Sequence, residues 1–417
     1  MRRLLNLLVV CLLTIASGAG AGADENWPNF HGPRHNNHSD STGLPLVWSE
    51  TENIVWKIPI HNSGWSSPVV WGDQIWLTTA TDDGKQSYAV CVDRQSGKIV
   101  YDLKLFETAD PENTRQYNTY ASPTPVIEAG CVYVTFGSYG TACLDTRSGE
   151  MVWTRRDLPC RHWRGPASSP ILFGNLLIMH FDDYDLQYVI ALDKRTGETI
   201  WKKDRQIDYG TTNGDLKKAY GTPIVIDVNG RQQLISQAAK ATIAYDPQTG
   251  EELWRIHYDG HSTAARPMFG QGLVFLLSGT QKKLFAVKPD GRGDVTATHV
   301  AWDFGKSMPR HPSPLLIGNL IYILDDSGVM TCLEATTGKV VFAERIGGDY
   351  WSSPLFADGR IYCFSQQGKT TVVAPDRTLR ILATNELDGT FRASPAVSGR
   401  SLILRTETHL YRIEQPN

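Results

Sequence analysis

A short proline-led motif recurs along this chain every 40–55 residues. A self-similar period of that length outranks any local propensity as a guide to fold. The prolines are Pro68, Pro123, Pro170, Pro223, Pro267, Pro314, Pro354 and Pro395, and each precedes an apolar stretch. Seven of the eight follow Ser or Thr; only Arg266 breaks the rule. A Gly turn and a second apolar run come next, as in Gly174-Asn175 before Leu176-Leu177-Ile178. A third run ends in an acidic residue followed by x-x-Ser/Thr-Gly, seen at 93–97, 145–149, 193–197, 246–250 and 334–338. An acid opening and a Gly closing such a segment suit a tight strand connection. Four residues after each of those glycines stands Tyr101, Trp153, Trp201, Trp254 or Phe342, placed to pack between neighbouring units.

Four short strands per unit with an aromatic at fixed offset describe a propeller blade. The expected fold is therefore all-β, an eight-bladed β-propeller. The last unit ends at Ile413 without an aromatic-bearing fourth strand, whereas Ile54-Val55-Trp56-Lys57-Ile58 is such a strand with no blade before it. The N-terminal strand is expected to close the ring, which leaves only short outer edges.

Ahead of the repeats, Arg2-Arg3, an apolar run from Leu4 to Ile15 and the small residues Ala21-Gly22-Ala23 follow the order of a secretory signal peptide. The expected division is a signal peptide at 1–23, an N-terminal extension at 24–50 and the propeller at 51–417. No later apolar run is long enough to cross a bilayer. A periodic repeat protein that is periplasmic or secreted, and not transmembrane, is the expectation. The formal charge of −3 over 417 residues gives no global attraction to nucleic acid, so none is expected as a partner.

The Ser-Pro strands and the segment Tyr188-Val189-Ile190-Ala191-Leu192-Asp193-Lys194-Arg195-Thr196-Gly197 with Trp201 resemble the pyrroloquinoline-quinone (PQQ) type of propeller repeat. So does the leader Trp27-Pro28-x-Phe30-His31-Gly32-Pro33, over about residues 27–414. That family contains quinoprotein alcohol dehydrogenases and the non-enzymatic, BamB-like propellers. The resemblance implies the fold and leaves the activity open. The dehydrogenases pair adjacent cysteines and hold Ca²⁺ beside the quinone; this chain has no Cys-Cys pair and no Cys-x-x-Cys-His. No cofactor is therefore expected, with PQQ and Ca²⁺ as the alternative. A binding or scaffold propeller is expected to engage a protein partner, a small anionic ligand or a polysaccharide, with peripheral association with an envelope complex as one form of it.

Cys91, Cys143 and Cys332 sit where other blades carry Ala, in a small buried slot, and Cys131–Cys143 is a bridge open to an oxidising compartment. His31, His35 and His38 offer loose transition-metal ligands, but a solvated leader is the expected reading. Asp182, Asp183 and Asp185 form either a Ca²⁺ site or an ordinary acidic loop, the second being favoured. Residues three before each proline should ring the central axis; they include Trp65, Tyr120, Tyr220, His311, Trp351 and Arg392. Arg164, Arg266 and Arg310 stand close by in sequence. If these side chains converge, they form a concave, cationic, aromatic-lined mouth suited to an anionic or planar ligand.

Overall fold

The computed structural model describes residues 26–114 and 117–416. The expected signal peptide lies outside the described residues. The described residues form eight antiparallel blades, spanning 69–107, 126–155, 171–204, 224–257, 268–304, 315–345, 355–386 and 396–413, two of which gain a short parallel strand at one edge. The eighth blade is completed by Ile54–Pro59, which pairs antiparallel with His409–Ile413. Residues from opposite ends of the chain thus share one sheet, and closure removes a pair of edges. No helix among the described residues is long and apolar enough to cross a membrane.

The residue before each inner-strand proline builds a ring around the axis. The backbone N–H of Ser67 donates to Thr124 Oγ1 at 2.9 Å, Thr124 to Ser169 Oγ at 2.9 Å, and Ser169 to Thr222 Oγ1 at 3.1 Å. The series resumes with Arg266 to Ser313, Ser313 to Ser353, Ser353 to Ser394 and Ser394 back to Ser67, all at 2.9–3.1 Å. Ser and Thr recur there because each hydroxyl accepts from the neighbouring blade, each contact contributing about 1 kcal/mol. The ring also corrects the repeat register. In blade 2 the ring residue is Thr124, ahead of Pro125 and the strand Val126–Glu128. The unit therefore begins two residues later than Pro123.

The turn glycines and the aromatics are one device. Trp153 of blade 2 donates its indole N–H to Lys194 O in the turn of blade 3 at 2.9 Å. Trp56, Trp201 and Trp302 do the same to Arg94 O, Pro247 O and Ala335 O at 3.0–3.1 Å. Beneath the ring of Trp153 lies Gly197, whose φ of +76° is left-handed and where a Cβ would stand 2.7 Å from the indole. Blade 5 lacks the Asp-x-x-Thr-Gly turn, and there Trp254 donates instead to Gln233 Oε1 at 2.7 Å. Gln233 passes the link on, donating to Pro289 O at 3.0 Å.

The leader is not solvated, contrary to expectation. It forms a strap across the base of the ring, on the side reached by the inner strands after their prolines. Trp27 exchanges backbone hydrogen bonds with Val70, and Pro28 O accepts from Ile127 N at 2.8 Å. Asn37 O accepts from Phe356 N at 3.0 Å, and His38–Ser39 pair in parallel with Phe356–Ala357 of blade 7. His31, Asn37 and Ser39 are buried. Burial first, then the charge of Arg266, holds His35 down to about 3 and His31 well below the ordinary histidine value. These histidines are packing and anchoring groups; among the described residues no set of metal-ligating side chains converges.

The cysteines fill the expected slots, with Cys91, Cys143 and Cys332 essentially inaccessible. Cys131 and Cys143 are both free thiols, diagonal neighbours on one strand pair where Cys131 faces Asp145 and Cys143 faces Tyr133, and their side chains are in contact.

Candidate functional site

On the side from which the inner strands enter, the axis opens into a funnel of about 480 Å³. Its wall carries the residue three before each inner-strand proline from all eight blades: Trp65, Ser122, Ala167, Tyr220, Ala264, His311, Trp351 and Arg392. The register shift in blade 2 explains why Ser122 stands there instead of Tyr120. Tyr120 is buried against Gly84 and Tyr139 and borders a neighbouring groove. Its expected place in the funnel is thereby corrected.

One half of the wall is a stack. The Arg392 guanidinium lies 3.9 Å from the Trp351 ring centroid and 4.8 Å from that of Trp65. The two indoles meet edge to face at 5.2 Å, and His311 stacks on Trp351 at 4.0 Å with 12° between planes. Cation–π contact of this kind contributes about 0.5–2 kcal/mol and fixes the guanidinium without consuming its N–H donors. Burial lowers the Arg392 pKa, with Glu407 at 3.4 Å opposing that shift. His311 is oriented by Asp326, Nδ1 to Oδ1 at 2.6 Å. Burial works against ionisation of Asp326, but the hydrogen bonds from His311 and the Arg310 amide prevail and keep its pKa low.

The opposite half is polar. Arg164 lies over the Tyr117 ring at 4.8 Å and donates to Asp215 at 2.9 Å. Asp215 also meets the buried Lys218 at 2.5 Å. Burial would raise the Asp215 carboxyl, yet Lys218 and Arg164 together hold it below the usual range. Arg310 is exposed at the mouth, with its backbone N–H on Asp326 at 2.8 Å. Among the described residues its guanidinium has no carboxylate partner.

Seven of the nine residues expected from sequence therefore line one cavity. Arg266 does not: it is 1% exposed and lies beneath the funnel. Its Nε and Nη2 donate to Pro223 O at 3.2 and 2.8 Å, Nη2 contacts His35 Nδ1 at 3.0 Å, and Nη1 donates to Phe30 O. Arg266 thus replaces a ring hydroxyl with an anchor for the strap. The anchored Phe30 lines the cavity and makes a blind funnel of what would be a channel. Sequence reasoning missed Phe30, because it precedes the repeats; the Arg266 exception was its only trace. Asp215 was also missed as a lining residue.

The carboxylates do not suit a divalent cation. Asp215 is matched by two cations and Asp326 by His311. Asp182 is sealed against Arg205, Asp183 against His162 at 3.0 Å, and Asp185 caps the Arg161 and Leu186 amides. The three acids of that hairpin point to three different partners, and Asp182 and Asp183 are buried in theirs rather than displayed on an open acidic loop.

A family model described as Outer membrane protein assembly factor BamB matches residues 46–225 and 239–392. The chain belongs to that family. Among curated BamB-family relatives, BamB of Legionella pneumophila is 22% identical over 241 residues, 58% of this chain and 48% of that protein. A quinoprotein ethanol dehydrogenase of Pseudomonas putida is 33% identical over 150 residues, 33% of this chain and 23% of that protein. The chain spans about a quarter of the length of the dehydrogenases it matches. BamB from Moraxella catarrhalis superposes with a TM-score of 0.62 at 13% identity, covering 86% of this chain and 99% of that one. A europium-containing methanol dehydrogenase gives 0.71 at 11% identity, covering 93% and 90%. At such identities the superpositions show the fold.

Proposed function

We propose that this chain is an exported, non-catalytic binding propeller of the cell envelope, engaging a protein partner or a small anionic ligand through the blind funnel. The observation that carries the reading is the charge of the cavity wall: Arg164, Arg310 and Arg392 line it against Asp215 alone. In a mouth floored by Phe30 and half walled by tryptophan, a desolvated carboxylate gains charge-assisted hydrogen bonds of about 1.5–3 kcal/mol each. Kinship with BamB supports a scaffold role. Kinship with the dehydrogenases supplies the competing one, and the pairing of Asp215 with Arg164 and Lys218 weighs against it.

The test is calorimetric titration of the purified chain with glutarate, glucuronate and inorganic phosphate. Saturable heat with at least one of them is expected. Arg310→Glu and Arg392→Glu should each lower the affinity by about tenfold or more, the equivalent of about 1.4 kcal/mol. Equal affinity in both variants, or no heat with any anion, would overturn the proposal.

A further inference from the structure

Beside the funnel, between blades 1 and 2, lies a groove of about 730 Å³. Trp65 and Asn118 border both depressions, so they form one continuous surface. Their charges are opposite among the described residues. There the funnel wall has three arginines against one aspartate, whereas the groove wall carries Asp82 and Asp83 and no described lining residue is a cation. Asp83 is fixed by the Thr81 hydroxyl at 2.6 Å and the Lys85 amide at 3.1 Å, with the Lys85 ammonium at 3.7 Å. Asp82 accepts from the Ser63 hydroxyl. The remaining border is hydrogen-bonding and uncharged, including Asn113, Thr114 and Thr119.

This polarity selects among ligands. A polyanionic polysaccharide leaving the funnel would run past two carboxylates, and like charges repel by about 1 kcal/mol at close range even in water. A ligand with a single acidic end followed by uncharged or basic groups meets complementary charge throughout. A polypeptide C-terminus has that form. Its main chain also offers N–H and C=O groups to the polar border, and each residue advances it by about 3.3 Å. Resting on the reading of the funnel as an anion site, we infer that this surface is a receptor for the C-terminus of a partner polypeptide. The terminal carboxylate enters the funnel toward Arg310 and Arg392, and a Lys or Arg a few residues upstream lies over Asp82 and Asp83.

Two pools of acetylated random hexapeptides test this, one ending in a free carboxylate and one in a carboxamide. Each is equilibrated with the full chain, and retained peptides are sequenced by mass spectrometry. The carboxylate pool should be retained at least about tenfold better, with Lys or Arg enriched at one or more upstream positions. The double substitution D82N/D83N should abolish that enrichment while leaving carboxylate-dependent retention in place; both side chains are exposed, and Asn keeps an acceptor oxygen for the turn bonds. Equal retention of the two pools, or no basic enrichment, overturns the inference. If small anions still bind calorimetrically in that case, the funnel reading survives and only the peptide assignment falls. If they do not bind, both fall.

Discussion

Replacing Gly197 with Ala separates two reasons for a glycine. Its φ is +76°, and its Cβ would stand 2.7 Å from Trp153 Cε3 and 2.8 Å from Cδ2. Left-handed backbone costs alanine about 1–2 kcal/mol, partly offset by about 0.4–1 kcal/mol from a less flexible unfolded chain. That component leaves about 1 kcal/mol. The indole must also retreat by about 0.7 Å to reach an ordinary carbon contact of about 3.4 Å. Retreat strains its 2.9 Å bond to Lys194 O, adding about 2 kcal/mol of lost hydrogen bond and overpacking. The total is about 3 kcal/mol. Unfolding entropy of about 2.1 cal/mol/K per residue over a propeller of this size converts that to a fall in Tm of about 4 °C. Gly130 is the control, with φ of +86° and nothing within 4 Å of its would-be Cβ; Gly130→Ala should lower Tm by about 1 °C. In a Trp153→Ala background the Gly197→Ala cost should shrink to the Gly130 level, a coupling of about 2 kcal/mol in a double-mutant cycle. Calorimetric Tm values for the set decide the matter. If Gly197→Ala and Gly130→Ala cost the same, or if Trp153→Ala leaves the Gly197 cost unchanged, the glycine is there for φ alone and the interlock is refuted.

Arg266→Ser restores the hydroxyl of the other blades and cuts the strap loose at Phe30 and His35. Amide hydrogen exchange should accelerate at His35 and Asn37, whose N–H groups bond within the strap, while the Ser353 amide stays protected; unchanged exchange in the strap would contradict the anchor role. Asp215 has a depressed pKa, so its stabilisation is present above the unfolded carboxyl value of about 3.9 and is lost as pH falls through the lower folded value. The gap in Tm between wild type and Asp215→Asn should therefore narrow from pH 6 to pH 3, and a constant gap would count against the assignment. The same substitution frees Arg164, and calorimetry should show anion affinity rising a few-fold; a fall would mean that Asp215 itself contacts the ligand. Titration with PQQ and Ca²⁺, followed by heat and by dye-linked alcohol oxidation, should give neither saturable binding nor turnover, and both together would install a dehydrogenase in the funnel.

Strand order and blade count were legible because they depend on local chemistry repeated many times. A Ser or Thr before Pro, an acid and a Gly around a turn, and an aromatic four residues on each reflect a contact made with the next blade. Periodicity therefore carries tertiary information wherever every blade solves the same packing problem. It fails where one blade solves it differently. In Ser122-Pro123-Thr124-Pro125 two dipeptides satisfy the motif equally, and only the bond from Ser67 N to Thr124 Oγ1 chooses between them. That choice moved Tyr120 out of the funnel and put Ser122 in. Arg266 was visible as an exception, but its meaning lay with Phe30 and His35, over 230 residues earlier. The two departures have opposite weight. A register ambiguity displaces one residue, whereas a broken rule at a buried ring position marks a second element using that place. Since an unneeded buried guanidinium would cost several kcal/mol, its partner was worth seeking in the described segment that precedes the repeats. That segment supplies the floor that makes the funnel a site.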